Sequence, residues 1–191
     1  MKVLAINGSP RKDGNTAIMI KTVLEELEKE GIETELLQFS GKTIQGCKAC
    51  LKCFENKDNK CVFENDDFNQ CFAKMIEADG IILGSPTYFT DVTSEMKGLI
   101  DRAGFVSFAN GRPFKRKTGA AVVAVRRAGS IHVFDTINHF FFINEMMVPG
   151  SSYWNMGIGR EKGEVAKDEE GLRTMKVLGK NMAWMMKRLY E

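Results

Sequence analysis

Residues 46–53 read GCKACLKC, and a further cysteine stands at position 61. Cys47, Cys50, Cys53 and Cys61 therefore form a C-x2-C-x2-C-x7-C pattern. Three thiolates at three-residue intervals wrap tightly around a compact centre. A fourth, reached over a short loop, closes it from the far side, and that spacing suits a [4Fe–4S] cluster. Gly46 and Ala49 leave room for a bulky inorganic core. A bacterial ferredoxin run resembles the first three cysteines, but its last gap is shorter and a proline follows its fourth cysteine, where Val62 stands here. Three other chemistries compete. Structural zinc usually takes two separated CxxC-type pairs, and no second pair is present. A redox disulfide could use Cys47 and Cys50, but they do not follow a strand and open a helix as a thioredoxin-type motif would. The last alternative is a loop that binds no metal. Cys71 lies apart from the run and reads as a small buried residue on the following helix.

Two other stretches have the composition of ligand loops. GSPRKDGNT, residues 8–16, joins a strand to a helix whose N-terminus offers unpaired N–H groups and partial positive charge to an anion. Ser9 and Thr16 add hydroxyl donors, Asn15 an amide and Arg11 a charged fork, while Gly8 and Gly14 let the backbone come close. The stretch is neither GxGxxG nor GxxxxGK[ST], which argues against a dinucleotide-fold dehydrogenase or a P-loop. A plain capped turn, with Asn15 or Asp13 serving only the helix, is the alternative. GSPTYFTDVTSEMKGLIDR begins at Gly84, after another strand. Pro86 stiffens that turn, and Thr87, Tyr88 and Phe89 offer amides and aromatic surface to a flat polar ring; equally, the two aromatics could pack on neighbours.

Both loops must be held by an alternating scaffold. Strands are expected at 2–6, 34–39, 80–83, 120–125 and, short, near 147–149. Helices are expected at 15–30, ended by Gly31, from an Asp66 or Asp67 cap to about 78, from a Ser94 cap to about 103, at 131–145 and at 169–189. The last helix would turn Leu172, Met175, Leu178, Met182, Met185 and Leu189 inward. Such alternation implies a parallel sheet covered on both faces, and five strands make the flavodoxin-like order 2-1-3-4-5 the first choice. The cysteine segment, about 44–64, is the one long insertion.

The chain has 191 residues, 43% hydrophobic and 27% charged, which favours one domain spanning 1–191. A net charge of +2 gives no reason to expect nucleic acid or an acidic membrane as partner. No run is apolar and long enough to span a bilayer, and MKVLAINGSP reads as a first strand rather than a signal peptide. The five cysteines are expected to be reduced, as in the cytoplasm. His132 and His139, seven apart on one helix, lack a third ligand nearby. Arg112, Lys115, Arg116 and Lys117 form a short basic run, read as a solvated loop, with an NADPH phosphate or an acidic redox partner the alternative. The apolar stretch Phe140 to Ile143 suggests subunit contact.

Taken together, GSPRKDGNT and GSPTYF…MKGLIDR resemble the flavodoxin-like NAD(P)H-dependent FMN reductase family, and GCKACLKC with Cys61 narrows the resemblance to its iron–sulfur flavoprotein branch. The resemblance covers most of the chain and is strongest over 1–102. It implies FMN, with phosphate at Ser9, Arg11, Asn15 and Thr16 and the isoalloxazine ring against Pro86, Thr87, Tyr88 and Phe89. A third loop closes the ring site in relatives; here it is RRAGS, which lacks the glycine pair common there, and Arg127, Ala128 and Gly129 are its candidates. Iron–sulfur flavoproteins tolerate a long last gap between cysteines, so Cys47, Cys50, Cys53 and Cys61 are the implied ligands. The implied activity is electron transfer between a one-electron carrier, such as a ferredoxin, and an acceptor, with NAD(P)H a possible donor and no side-chain acid or base required. A cluster-free NAD(P)H-dependent FMN or quinone reductase is the alternative enzyme, and a zinc- or thiol-bearing flavin-binding module the non-enzymatic one. The family is typically oligomeric, which implies a homodimer or homotetramer.

Overall fold

The computed structural model describes residues 1–190. Its five strands are β1 (Lys2–Asn7), β2 (Glu33–Gln38), β3 (Gly80–Pro86), β4 (Thr118–Val125) and β5 (Met156–Ile158), all parallel, in the order β2-β1-β3-β4-β5. Between them lie α1 (Asn15–Lys29), α2 (Lys52–Asn56), α3 (Phe68–Glu77), α4 (Ser94–Ala109), α5 (Ser130–Ile143) and α6 (Glu169–Tyr190). This is the three-layer flavodoxin-like sandwich that the alternation implied. One core face joins the sheet to α1 and α6 through Val3, Ile20, Leu27, Val122 and Met182. The other joins it to α3, α4 and α5 through Leu4, Phe72, Leu99, Val123 and Phe141. β4 is buried along its whole length, which is why its sequence, TGAAVVAV, shows no alternation.

Gly31 ends α1 as expected. Its φ of +77° is the left-handed conformation that lets Ile32 N–H return to the Leu27 carbonyl at 3.1 Å. Asp67 occupies the N-cap position of α3, but its carboxylate turns to Lys42 and the Thr43 N–H, while Asp66 accepts from Phe68 N–H at 3.2 Å.

Several expectations are corrected. α4 is capped by Thr93, whose hydroxyl accepts from Met96 N–H, and Ser94 is its first residue. That helix continues to Ala109. The inner face of α6 carries Met186, whereas Met185 is only half-buried and Leu189 is exposed. Most consequential is the fifth strand. Met147 makes one isolated bridge to Thr118, and Pro149, without an N–H, cannot extend a ladder. The chain instead loops out and returns as β5, where Val123 N–H reaches the Asn155 carbonyl and Gly159 N–H the Val125 carbonyl, both at 2.9 Å. At Gly157 a Cβ would lie 2.7 Å from Val165 Cγ2 and 2.8 Å from Met19 Sδ, so a three-residue strand with glycine at its centre fits there. Among the described residues no helix is long and apolar enough to cross a membrane.

Candidate functional site

At the carboxyl edge of the sheet, the loops after β1, β3, β4 and β5 surround an open cavity. Ligands of open parallel sheets bind at this edge, near the point where strand order reverses. Gly8 N–H bonds the Gly84 carbonyl at 2.7 Å, and Thr93 Oγ1 donates to the Gly8 carbonyl at 2.9 Å, so the first two loops are fastened to each other. A Cβ on Gly8 would lie 2.8 Å from Met96 Cε. Ser9 Oγ accepts from Arg11 N–H at 3.1 Å, which leaves its own hydrogen free to donate into the cavity. α1 begins at this wall with Gly14 at its N-cap and no side chain capping it. Its first-turn N–H groups thus remain available to an anion.

Of the residues expected for phosphate and ring, Ser9, Arg11, Asn15, Thr16, Pro86, Thr87 and Tyr88 all line this cavity. Asn15 has a second task. Its amide donates to the Gly159 and Glu161 carbonyls, both at 3.0 Å, and accepts from Val165 N–H at 3.3 Å. Both side-chain hydrogens are spent on backbone, so Asn15 positions the loop after β5 rather than donating to a ligand. Glu164 completes that loop by accepting from the N–H groups of Glu161 and Arg160, which hold its carboxyl below the usual range.

Four expected residues are not brought to the cavity. Tyr88 and Asp91 exchange both backbone hydrogen bonds around a two-residue turn, with φ of 46° at Phe89 and 66° at Thr90. That turn throws Phe89 fully into solvent. Arg127, Ala128 and Gly129 lie beyond the strand end and lead into α5, with Gly129 against Thr90. Arg126, the first residue after β4, lines the cavity in their place, and so do Gly159 and Arg160. The signal for Arg126 was its position directly at a strand end. Arg160 carries no such signal, because a fifth strand expected at 147–149 leaves it far from any strand end.

The cysteine segment is held at its neck by a buried ion pair. Arg102, on α4, and Asp66 are almost wholly buried, and Arg102 Nη1 donates to Asp66 Oδ2. Nη1 also donates to the Gln45 carbonyl at 3.3 Å and Nη2 to the Phe63 carbonyl at 3.0 Å, while Gln45 N–H reaches Asp66 Oδ2 at 2.8 Å. One guanidinium therefore grips both ends of the segment. Burial alone would raise the Asp66 carboxyl; Arg102 and the Gln45 and Phe68 N–H groups outweigh it and hold it below its ordinary value. Gly98 lets the neck seat on α4, since a Cβ there would lie 2.9 Å from the Gln45 carbonyl and 3.1 Å from that of Ile44. Gly98→Ala gains about 1 kcal/mol of helix propensity but forces backbone away. A net loss of about 1–2 kcal/mol is expected, measurable by urea unfolding.

Beyond the neck, Cys47, Cys50, Cys53 and Cys61 all line one recess, walled by Val62, Phe63, Phe105 and Val106. Ala49 and Leu51 have φ of 49° and 58°, which fold the chain around it. Ala49 N–H points to Cys47 Sγ at 3.4 Å. Among the described residues no three metal-ligating side chains converge closely enough for a single ion; the thiols instead surround a space. Four soft sulfur ligands around a partly apolar recess fit a polynuclear iron–sulfur group. Burial raises the Cys53 thiol. Cys71 lies in the core as expected, its thiol pushed up to about 12 by burial. In the metal-free folded protein at pH 8, iodoacetamide is expected to modify Cys47 and Cys50 and to spare Cys71 until the chain unfolds, as peptide mass mapping would show.

The family model for NADPH-dependent FMN reductase matches residues 1–161. An iron–sulfur flavoprotein of Methanocaldococcus jannaschii is 38% identical over 194 residues, with 98% of each chain covered. An iron–sulfur flavoprotein of Methanosarcina thermophila is 32% identical over 184 residues, covering 95% of this chain and 93% of that one. Among solved structures, RosB with bound 8-demethyl-8-formylriboflavin-5′-phosphate superposes with a TM-score of 0.80 at 20% identity, over 99% of this chain and 80% of that one. A flavodoxin from the domain Archaea superposes with a TM-score of 0.62 at 17% identity, over 98% and 99%. The two solved structures share the fold, and the sequence matches carry the kinship: the chain belongs to the NADPH-dependent FMN reductase family, a family of FMN-dependent oxidoreductases, and within it to the iron–sulfur flavoproteins.

Proposed function

We propose that the whole chain works as one FMN-binding domain that carries a [4Fe–4S] cluster and transfers electrons between a one-electron protein carrier and an acceptor in the cytoplasm. The observation that carries this reading is the gathering of Cys47, Cys50, Cys53 and Cys61 on one recess, apart from the cavity at the sheet edge. Bound in these places, the cluster would exchange single electrons and FMN one or two, so the pair could join one-electron and two-electron partners. This chain's residues bind and orient. The first turn of α1, the Ser9 hydroxyl, Arg11, Arg126 and Arg160 offer donors and positive charge to the phosphate. Pro86, Thr87 and Tyr88 form a wall for the ring, and Thr87 is fixed by its N–H to the Ala124 carbonyl at 2.9 Å. Assembly into a homodimer or homotetramer is part of the proposal. The exposed Phe142 and Ile143 on α5 support it.

A charge-assisted hydrogen bond contributes about 1.5–3 kcal/mol. Arg160→Ala and Arg126→Ala are therefore each expected to weaken FMN binding roughly tenfold to a hundredfold. Fluorescence titration of the flavin-free protein reads this directly, and an unchanged affinity in both variants would place the phosphate elsewhere. For the cluster, the test is anaerobic purification with iron and acid-labile sulfide measured per FMN. About four of each is expected. Flavin without iron after anaerobic reconstitution would instead favour the second reading, a cluster-free NAD(P)H-dependent FMN or quinone reductase, which the family match over 1–161 supports. Zinc in place of iron would indicate a structural thiol site.

A further inference from the structure

Building on the cluster reading, we propose that Arg102 raises the reduction potential of the centre held by the four cysteines, and that Asp66 opposes it. The Arg102 side chain is 2% exposed and that of Asp66 1%. Nη1 and Nη2 of Arg102 are occupied by Asp66 and the Gln45 and Phe63 carbonyls. Nε is different: it is buried and has no hydrogen-bond partner among the described residues. Arg102 is also part of the wall of the thiol recess, with Phe105 and Val106 from the same helix, whereas Asp66 is not. A buried N–H without an acceptor is costly, and an anionic sulfur in the recess is the acceptor that would answer it.

The electrostatic consequence follows from the order of the charges. The Arg102–Asp66 pair is neutral overall, but Arg102 lines the recess and Asp66 does not. A [4Fe–4S] core held by four thiolates is anionic and takes on one more negative charge when it accepts an electron. In a poorly solvated setting the nearer charge dominates, and salt screens a buried pair little. Arg102 thus favours the reduced form. Asp66, which holds the guanidinium in place, works in the opposite sense on the potential. Arg102 is a positioning and tuning residue here, since its direct bonds are to the loop neck.

The test is a dithionite titration of the anaerobically reconstituted protein, followed by electron paramagnetic resonance, with iron, sulfide and FMN measured in every sample. Arg102→Met is expected to shift the one-electron equilibrium at least tenfold toward the oxidised form, about 59 mV lower. Asp66→Asn is expected to shift it the other way, because the cation loses its counter-charge. Arg102→Lys keeps the charge without the fork and should stay within about threefold of wild type, so the comparison with Asp66→Asn stands even if the methionine variant fails to fold. A purely structural clamp would move both single variants in the same direction, through a loosened loop. Shifts of the same sign, or none, overturn the proposal while the cluster reading survives. A wild-type protein that takes up no iron and sulfide overturns the cluster reading, and this proposal with it.

Discussion

Replacement of Cys50 by serine is expected to reduce iron and acid-labile sulfide from about four of each per FMN to well below one, with FMN binding unchanged. Cys50 stands between two left-handed residues, Ala49 and Leu51, where the chain folds around the recess. A serine hydroxyl is a hard, neutral ligand at pH 7, whereas iron–sulfur centres favour soft thiolates. The thiol recess and the cavity at the sheet edge have no lining residue in common. That separation is the ground for expecting the flavin to remain. Anaerobic reconstitution followed by metal, sulfide and flavin analysis checks both halves. Full retention of iron would remove Cys50 from the ligand set, and loss of FMN together with iron would mean that the two sites are structurally coupled.

Asp66→Ala is expected to have the largest effect on stability. Removing one partner leaves Arg102 charged and buried, a change that costs about 3–5 kcal/mol. For a chain of this size that corresponds to a fall in melting temperature on the order of 10 °C. Asp66→Leu with Arg102→Met should recover much of the loss, because an apolar pair of similar volume carries no stranded charge. The wild-type pair also makes a signed prediction for pH. The Asp66 carboxyl is held below its ordinary value in the folded chain. Its contribution is therefore complete above the unfolded pKa of about 3.9 and is lost as pH falls through the folded value. Stability of the metal-free protein should drop below about pH 4, and Asp66→Ala should lose less over the same interval. Urea unfolding followed by circular dichroism at pH 6 and pH 3 measures the difference, and parallel curves for the two proteins would contradict it.

The parts of the site legible in the sequence are those built from contiguous residues. Ser9 to Thr16 run from the turn after β1 into α1, and Pro86 to Tyr88 from the end of β3 into the turn after it, and the sheet brings both stretches to one edge. The cysteine run is likewise legible as a local spacing, but the left-handed backbone at Ala49 and Leu51 that folds it around the recess is not. The misplaced residues share a different cause. Phe89 reads as a ring neighbour, but the turn between Tyr88 and Asp91 needs positive φ at two residues without glycine, so no turn signal announces it. Arg127 to Gly129 are candidates only through the resemblance, which places a third loop there; the structure turns them toward α5 and leaves Arg126, the first residue after β4, on the cavity.

By itself, then, the sequence determined the alternation of strands and helices, the strand order, the glycine-rich loop that leads into α1 and the spacing of four thiols. Each of these rests on periodicity, capping or short-range spacing, which act along the chain. Only the tertiary structure decided where the fifth strand runs, and with it that Arg160 reaches the cavity and that Asn15 serves the loop beside it. A three-residue strand has too little pattern to be read; its place is set by Gly157 fitting against Val165 and Met19, residues distant in sequence. The tertiary structure likewise decided the Arg102–Asp66 pair. Those two residues are separated by 36 positions, and their charges are brought together and buried only when α4 packs against the neck of the cysteine segment.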